Sequence, residues 1–345
     1  MNRILTTHVG SLVRPPELET FLEQQQNGEA YDERAYRDCL ARAVAEVVKL
    51  QTEAGIEIIS DGEFGKSISW SRYVLERLSG FTERVDQGAG FRPAIAGKDR
   101  RDFTEFYDEY EAAHGFAGLG KQAGRLGAWV ITGPICYTGH ASLQRDIANL
   151  KAAMRQIGVT HGFLPVVAPA SVVPMRKDEN YSNEEEALFA IAKALHEEYK
   201  AIVDAGLIVQ IDDPSLPDNW DMINPEPPLA EFKKFERVRI EALNHALRGL
   251  PPDRIRYHIC WGSFNTPHVT DVPLKDIVDL VLRVKAGGYL ISSRDFKKPQ
   301  PIQNRPRLNT GSANMRFHQS NSDGRANTSR NAPGAKNNKR AMAIR

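Results

Sequence analysis

Short apolar segments alternate with amphipathic helical segments along most of this chain, and this alternation restricts the fold more than any other feature. The clearest apolar segment is residues 207–213, a continuous run that stops at the carboxylates of Asp212 and Asp213. Runs of this kind are typical of strands buried on both faces of a parallel sheet. Strands that alternate with helices predict a parallel sheet with right-handed crossovers, so the predicted fold class is α/β.

The same pattern predicts the order of the elements. Strands are predicted at residues 4–11, 56–64, 129–134, 163–169, 207–214, 256–262 and 288–291. Helices are predicted at residues 32–54, 69–78, 142–157, 182–205, 229–247 and 274–285. Six strands and the start of a seventh fit a TIM (β/α)8-type barrel that lacks its last one or two β/α units. A doubly wound open sheet is the alternative, although no G-x-G-x-x-G sequence follows the first strand.

Two regions depart from this alternation. Residues 80–125 fit no simple strand-and-helix unit and are predicted to form an excursion over one face of the barrel. Residues 291–345 contain 12 Lys and Arg against 2 Asp and Glu, whereas residues 1–290 contain 33 against 42. This basic, asparagine-rich tail has no apolar periodicity and is predicted to be disordered from about residue 295. Because it interrupts a strand, a shifted reading frame or a retained intron is suspected, with a true basic tail as the alternative.

The composition also indicates the cellular compartment of the protein. With 41% apolar and 26% charged residues, the chain has an ordinary globular composition. Its three cysteines are an odd number and too few for a disulfide framework, which favours a reducing compartment. No apolar run approaches the length of a membrane span, and the N-terminus lacks an apolar signal core. We therefore expect a cytoplasmic protein without membrane or nucleic-acid partners, and the sequence leaves its oligomeric state open.

The pair His258 and Cys260 is a candidate metal site. On a β-strand, residues i and i+2 leave the same face about 7 Å apart along the chain. An imidazole and a thiolate together suit Zn²⁺. The pair follows a Pro- and Asp-rich turn at residues 251–253 and precedes Gly262, which places it near the C-terminal end of a strand. The alternative is a core cysteine beside a hydrogen-bonded histidine.

Three other predicted strand ends also carry polar residues: His8 and Ser11, Asp61 and Glu63, Asp212 and Asp213. Carboxylates at strand ends could bind the ammonium group of a substrate. Each position taken alone is also typical of an ordinary turn. Because the carboxyl ends of parallel strands meet at one face of a barrel, we expect these residues to lie near the histidine and cysteine pair.

Five segments resemble one known family in the family's own order. They are residues 7–12 (T-H-V-G-S-L), 61–65 (D-G-E-F-G), 132–134 (T-G-P), 210–214 (Q-I-D-D-P) and 258–264 (H-I-C-W-G-S-F). The chain resembles the cobalamin-independent methionine synthases over roughly residues 3–290, specifically their C-terminal catalytic barrel and its stand-alone bacterial, archaeal and fungal relatives. This order is far more specific than any single motif.

The resemblance implies a (β/α)8 barrel and a role for each candidate residue. His258 and Cys260 would be two zinc ligands, while Ser11, Glu63 and Asp212 would hold the amino acid moiety of homocysteine. Zinc would lower the pKa of the substrate thiol, so that a thiolate attacks the activated methyl carbon.

The chain also departs from the family's pattern. Asp213 stands where the family has the Glu of I-D-E-P. The family completes its zinc site with a downstream Glu and a Cys near the end of the barrel, but this chain has neither after Cys260. Three residues are weaker candidates for the missing ligand positions: Asp295, His268 and His318. Two protein ligands are too few for a tight zinc site.

The leading hypothesis is a zinc-dependent methyltransferase of the 5-methyltetrahydropteroyltriglutamate–homocysteine S-methyltransferase type, impaired by loss of its C-terminal zinc ligands. Its partners would be a small-molecule thiol and a methyl donor; folate polyglutamate, a corrinoid protein and a small alkyl compound remain open as donors. One alternative is a non-catalytic remnant. The other is a different enzyme on a similar barrel, either an alkyl- or epoxide-to-thiol transferase or a decarboxylase relative.

Overall fold

A computed structural model describes residues 5–66, 72–84, 97–114, 128–172, 177–223, 225–261, 267, 269–293 and 340–344. The helices of this part of the chain are α1 (Pro16–Asn27), α2 (Glu33–Glu53), α3 (Arg72–Glu76), α4 (Lys98–Asp102), α5 (Thr104–His114), α6 (His140–Ile157), α7 (Glu184–Asp204), α8 (Ser215–Met222), α9 (Leu229–Ala246) and α10 (Leu274–Val281). The strands are β1 (Ile59–Ser60), β2 (Phe81–Arg84), β3 (Ala128–Ile131), β4 (Gly162–Val167), β5 (Ile208–Asp213), β6 (Ile255–Cys260), β7 (Gly288–Ser293) and β8 (Arg340–Ile344). No helix in the described ranges is both long enough and apolar enough to span a bilayer.

The principal sheet has six strands in the order β1-β4-β5-β6-β7-β8. Its first four pairings are parallel, and β8 pairs antiparallel with β7. Thr7 extends the sheet beyond β1 through a parallel bridge to Ile58. The prediction of an α/β fold with a parallel sheet is therefore confirmed.

The two faces of this sheet differ because successive side chains on a strand point to opposite sides. On one face, apolar residues such as Val209, Ile211 and Ile259 pack in the main hydrophobic core together with the buried sides of the helices. We call this the helix-covered face. The opposite face has a small apolar cluster of Leu5, Ile58 and Phe163. Further toward the carboxyl ends, the opposite face carries the polar side chains of Gln210 and Asp212 on β5 and of Arg256 and His258 on β6. We call this the polar face.

The predicted strand at residues 129–134 differs from the structure. Ala128–Ile131 pairs antiparallel with Phe81–Arg84 in a separate two-stranded sheet, while β4 lies directly beside β1. The close approach of the two chain segments requires glycine: a Cβ on Gly80 would lie 2.5 Å from the carbonyl oxygen of Gly133, and Gly80 has φ 84°. Residues 80–125 thus contribute β2 to a sheet, in addition to the two short helices α4 and α5.

Several helix boundaries also differ from the prediction. Helices α1 and α8 were not predicted, although α1 begins with proline at its first position, a common helix start. A capping box was predicted at Ser182 and Glu185. Asn183 is the N-cap of α7 and accepts from the Glu186 amide, while the Glu186 carboxylate accepts from the Ser182 amide. The side-chain cap is therefore present one residue later than predicted, but the Glu186 carboxylate accepts from the residue before the N-cap, so the pair does not form the reciprocal capping box.

The C-terminal segment contains one described strand. Residues 340–344 form β8 along the edge of β7, with Leu290 opposite Ala343. The other tail residues, 294–339 and 345, lie outside the described residues, so their disorder stays a prediction. Strand β7 itself runs to Ser293, two residues beyond the end of the strand predicted at residues 288–291.

Candidate functional site

The register of β5 against β6 brings polar side chains together in pairs. Gln210 lies opposite Arg256, and Asp212 lies opposite His258. Partners in a parallel pair whose side chains point to the same face are direct neighbours. The two strands therefore present two adjoining pairs of polar groups on the polar face, the second pair nearer the carboxyl ends.

Asp212 and His258 form the more exposed of these pairs. The Nδ1 atom of His258 lies 2.8 Å from Oδ1 of Asp212. The side chain of Asp212 is 24% exposed and that of His258 is 8% exposed. Because a carboxylate oxygen can only accept, Nδ1 carries the hydrogen and the imidazole presents Nε2 without one when it is neutral.

Ser11 and Glu63 meet just beyond the end of β1, which β4 separates from β5 in the sheet. The Ser11 hydroxyl donates to Oε1 of Glu63 at 3.1 Å, and the Lys66 ammonium donates to Oε2 at 2.9 Å. Lys66 also donates to the Pro165 carbonyl at 2.6 Å and lies 4.3 Å from the centre of the Tyr73 ring. Glu63 has φ 62°, a left-handed conformation that is uncommon for a residue with a side chain and clusters at functional sites. The carboxylate is thus held from both sides.

Cys260 follows His258 by two residues on β6 and shares its face of the strand. Its thiol is partly buried and is not in a disulfide. Within the described ranges, no three His, Cys, Asp or Glu side chains group in a way that could hold a metal ion. His258 and Cys260 supply two donors, one fewer than a three-ligand catalytic zinc site requires. The three weaker ligand candidates named from the sequence, Asp295, His268 and His318, lie outside the described residues.

Asp213 points to the helix-covered face, away from Asp212. Its Oδ1 accepts from the hydroxyls of Ser171 and Ser215 at 3.1 and 2.6 Å, and its Oδ2 accepts from Tyr257 at 2.7 Å. The residue is 4% exposed. The departure from the I-D-E-P pattern therefore concerns the packing of the loops after β4 and β5, and Asp213 does not join the polar-face residues.

His8 and Asp61 are the remaining polar residues at predicted strand ends; Asp61 is buried and His8 is partly buried. Nε2 of His8 lies 2.7 Å from Oε1 of Gln51, and burial lowers the pKa of His8. Asp61 accepts from the Glu63 amide at 2.9 Å. Burial, assisted by the Asp146 carboxylate, raises the pKa of Asp61 to about 7. Asp61 therefore helps to shape the turn that carries Glu63.

The sequence reasoning missed three residues of the candidate site: Lys66, Gln210 and Arg256. The signal for two of them was present, because Gln210 precedes Asp212 by two positions and Arg256 precedes His258 by two positions. Side chains at i and i+2 of a strand share a face. Lys66 had no comparable signal, since its contact with Glu63 depends on the turn between them.

Proteins built on parallel α/β sheets carry their functional side chains at the carboxyl ends of the strands. The sheet and the polar face place this chain in that class. Curated relatives specify it further. The chain is 25% identical over 283 residues to a methionine synthase of Saccharolobus islandicus, covering 79% of this chain and 68% of that protein. It is 24% identical over 289 residues to a methionine synthase of Sulfolobus acidocaldarius, covering 81% and 68%.

Two solved structures share the fold. A B12-independent methionine synthase from Shewanella superposes with a TM-score of 0.51 at 18% identity, over 76% of this chain and 62% of that one. A putative vitamin-B12 independent methionine synthase from Listeria monocytogenes gives a TM-score of 0.51 at 23% identity, over 76% and 68%. No protein-family model matches the chain. The chain is thus similar in sequence to methionine synthases and shares its fold with B12-independent methionine synthases.

Proposed function

We propose that this chain has the thiol-binding site of a methionine-synthase-like methyltransferase, and that methyl transfer to a thiol such as homocysteine is impaired in it. One observation carries the proposal: His258 and Cys260 share a face at the carboxyl end of β6, with Asp212 hydrogen-bonded to the imidazole. The relatives that the chain matches over most of its length are named methionine synthases.

Ser11, Glu63 and Asp212 are proposed to hold the amino acid part of the substrate. Ser11 and Lys66 hold the carboxylate of Glu63 in place. Asp212 is the more exposed member of its pair with His258. A substrate ammonium donates to carboxylates through short, charge-assisted hydrogen bonds. Positioning the amino acid in this way would direct its thiol toward Cys260 and His258.

We propose that methyl transfer requires zinc where the family's zinc site is complete. We also propose that this chain binds zinc weakly. Cys260 and Nε2 of His258 are the donors that would contact the metal. Each missing anionic ligand removes a bond and part of the charge neutralisation. The described residues supply no third ligand. We therefore expect zinc to be lost readily, and thiol activation with it.

We also propose that the sheet is part of an incomplete (β/α)8 barrel formed by residues 1–290, and that residues 291–345 are a separate basic tail. The parallel order of β1, β4, β5, β6 and β7 supports the barrel. The edge beyond β7 is occupied by an antiparallel strand, whereas a barrel would continue with a parallel one. Cys39, Cys136 and Cys260 are not in disulfides, which supports a reducing, cytoplasmic compartment.

Metal content and thiol alkylation test the proposal. The purified chain should retain little zinc after dialysis against a chelator and should not methylate homocysteine. A version in which residues from 294 onward are replaced by the corresponding segment of the Sulfolobus acidocaldarius relative, chosen to include a Glu and a Cys, should hold about one zinc per chain. It should also methylate the thiol.

Cys260→Ser in the restored protein should abolish both properties, whereas Cys136→Ser, which changes an exposed cysteine, should preserve them. Chelator-resistant, stoichiometric zinc in the unaltered chain would show that the site is complete. A restored protein with zinc but no thiol methylation would contradict the proposed reaction.

The second candidate function is a non-catalytic remnant that keeps only a substrate-like pocket. This function is favoured because His258 and Cys260 are only two donors and the described residues supply no third. Calorimetric titration with homocysteine separates the two: a remnant gives binding without turnover even after the C-terminal replacement restores zinc.

A further inference from the structure

We propose that Gln210 and Arg256 are positioning residues for His258. Acting through Asp212, they fix the imidazole in the tautomer that carries its hydrogen on Nδ1 and presents Nε2 as an acceptor. The use of Nε2 rests on the proposed function. The tautomer itself follows from a chain of hydrogen bonds along the polar face.

Arg256 is the fixed end of this chain. The residue is 5% exposed, and its guanidinium carbon lies 3.7 Å from the centre of the Phe163 ring. Its Nη1 donates to the Thr7 hydroxyl at 3.2 Å, and its Nη2 donates to the His8 carbonyl at 3.4 Å. Its Nε donates to Oε1 of Gln210 at 2.8 Å. A planar group stacked on a ring and bonded at all three nitrogens has little freedom to rotate.

Arg256 determines which way the amide of Gln210 faces. A guanidinium has only donors, so the group that it contacts must be the amide oxygen. The amide nitrogen of Gln210 is therefore turned to the other side. There it donates to the Val9 carbonyl at 2.8 Å and to Oδ1 of Asp212 at 2.7 Å. The orientation of this amide follows from the chemistry of its partners.

Gln210 in turn fixes the carboxylate. Oδ1 of Asp212 accepts from Gln210 and from Nδ1 of His258, at 2.7 and 2.8 Å. A carboxylate held by a donor from a buried amide cannot swing freely about its terminal torsion. It therefore keeps one oxygen in front of Nδ1, and the imidazole places its hydrogen there. Hydrogen bonds of this kind set both the tautomer and the ring orientation of a histidine.

The alternation of the two strands explains why four residues suffice. Gln210 and Asp212 are two apart on β5, Arg256 and His258 are two apart on β6, and the register pairs them directly. Each side chain contacts the next along a path from the buried part of the sheet toward its carboxyl end. A shift of one residue in register would turn one strand's pair to the opposite face and break the path.

Nitrogen NMR of the histidine side chains tests the proposal in the full-length chain. The imidazole nitrogen shifts distinguish the Nδ1–H from the Nε2–H tautomer, and the His258→Gln variant identifies the signal of His258. Spectra are recorded without metal or substrate, at a pH above the range where histidines are charged. The unaltered chain should show the Nδ1–H tautomer. Gln210→Met, which keeps the volume but removes all three hydrogen bonds of the amide, should lose that signal or mix it with the other tautomer.

Gln51→Met is the matched control. Gln51 is also a buried glutamine, 5% exposed, whose amide contacts the His8 ring and the backbone of Ser60 and Val47 and does not contact Asp212. The Gln51→Met variant should leave the His258 signal unchanged. An Nε2–H tautomer in the unaltered chain, an unchanged signal in Gln210→Met, or an equal change in Gln51→Met would each overturn the proposal.

If Gln210→Met does not fold, Arg256→Lys tests the proposal instead. Lysine keeps the charge but lacks the Nε–H that orients the amide, so the Nδ1–H signal should weaken. An unchanged signal would remove Arg256 from the chain of positioning residues. Because the spectra need neither zinc nor methyl transfer, a failure of the proposed reaction leaves this result intact, and the reverse also holds.

Discussion

The ammonium of Lys66 lies 2.9 Å from Oε2 of Glu63, and both side chains are 8% exposed. Removing one partner of a buried ion pair leaves an uncompensated charge and costs about 3 to 5 kcal/mol. Lys66→Met should therefore lower the free energy of unfolding by about 3 kcal/mol in urea denaturation. The double variant Lys66→Met with Glu63→Gln should recover part of this loss, because no buried charge then remains. An additive loss in the double variant would show that the pair does not interact.

The buried guanidinium of Arg77 bridges two helices through Asp146 and Glu198, at 2.6 Å to each carboxylate. Arg77→Met should lower the free energy of unfolding by about 3 to 5 kcal/mol, since the buried Glu198 loses its counter-charge and Asp146 keeps only its pairing with Arg145. The matched control is Arg37→Met, which removes an exposed ion pair with Glu33 and should change stability by less than about 1 kcal/mol. Equal effects in the two variants, measured by urea denaturation, would contradict the prediction.

Glu236 is fully buried, and its Oε2 has no hydrogen-bond partner among the described residues. Burial raises its pKa from 4.5 to about 8, so the folded protein binds this proton more tightly than the unfolded chain does. The free energy of unfolding should therefore fall as pH rises from about 4.5 through 8.

Glu236→Gln removes this titration and should flatten the profile, gaining at least about 1 kcal/mol over the unaltered chain at pH 8. Glu241→Gln changes an exposed acid on the same helix and should keep the original slope. The measurement is urea denaturation across the pH range, and an unchanged slope in Glu236→Gln would refute the assignment.

Limited trypsin digestion tests the tail. Most of the basic residues of 291–345 lie between residues 294 and 339, and we expect disorder there because the segment has no apolar periodicity. Trypsin should cut this segment before any site in residues 5–293, as followed by mass spectrometry over time. Protection of the tail through the period in which the body is cleaved would contradict the expectation.

Much of the parallel sheet and several helices could be predicted from local pattern. The boundaries of α2, α9 and β6 were predicted to within one or two residues, because each has a strong apolar period. The antiparallel pairing of β2 with β3 could not be predicted, since it joins segments more than 40 residues apart. Such pairing depends on where the folded chain brings the two distant segments together, and no local window contains that information.

The candidate site, too, could be predicted from the sequence only in part. The sequence by itself determined which chemistry is present: an imidazole and a thiol two apart on β6, and carboxylates where other strands end. It also determined the face that His258 and Cys260 share, because alternation is a property of the strand. Only the tertiary structure decided that Asp212 faces His258 while Asp213 turns to Tyr257, and that Arg256 and Gln210 stand behind them. The physical reason is that alternation within a strand is local, whereas the register between strands is set by the packing of the whole sheet.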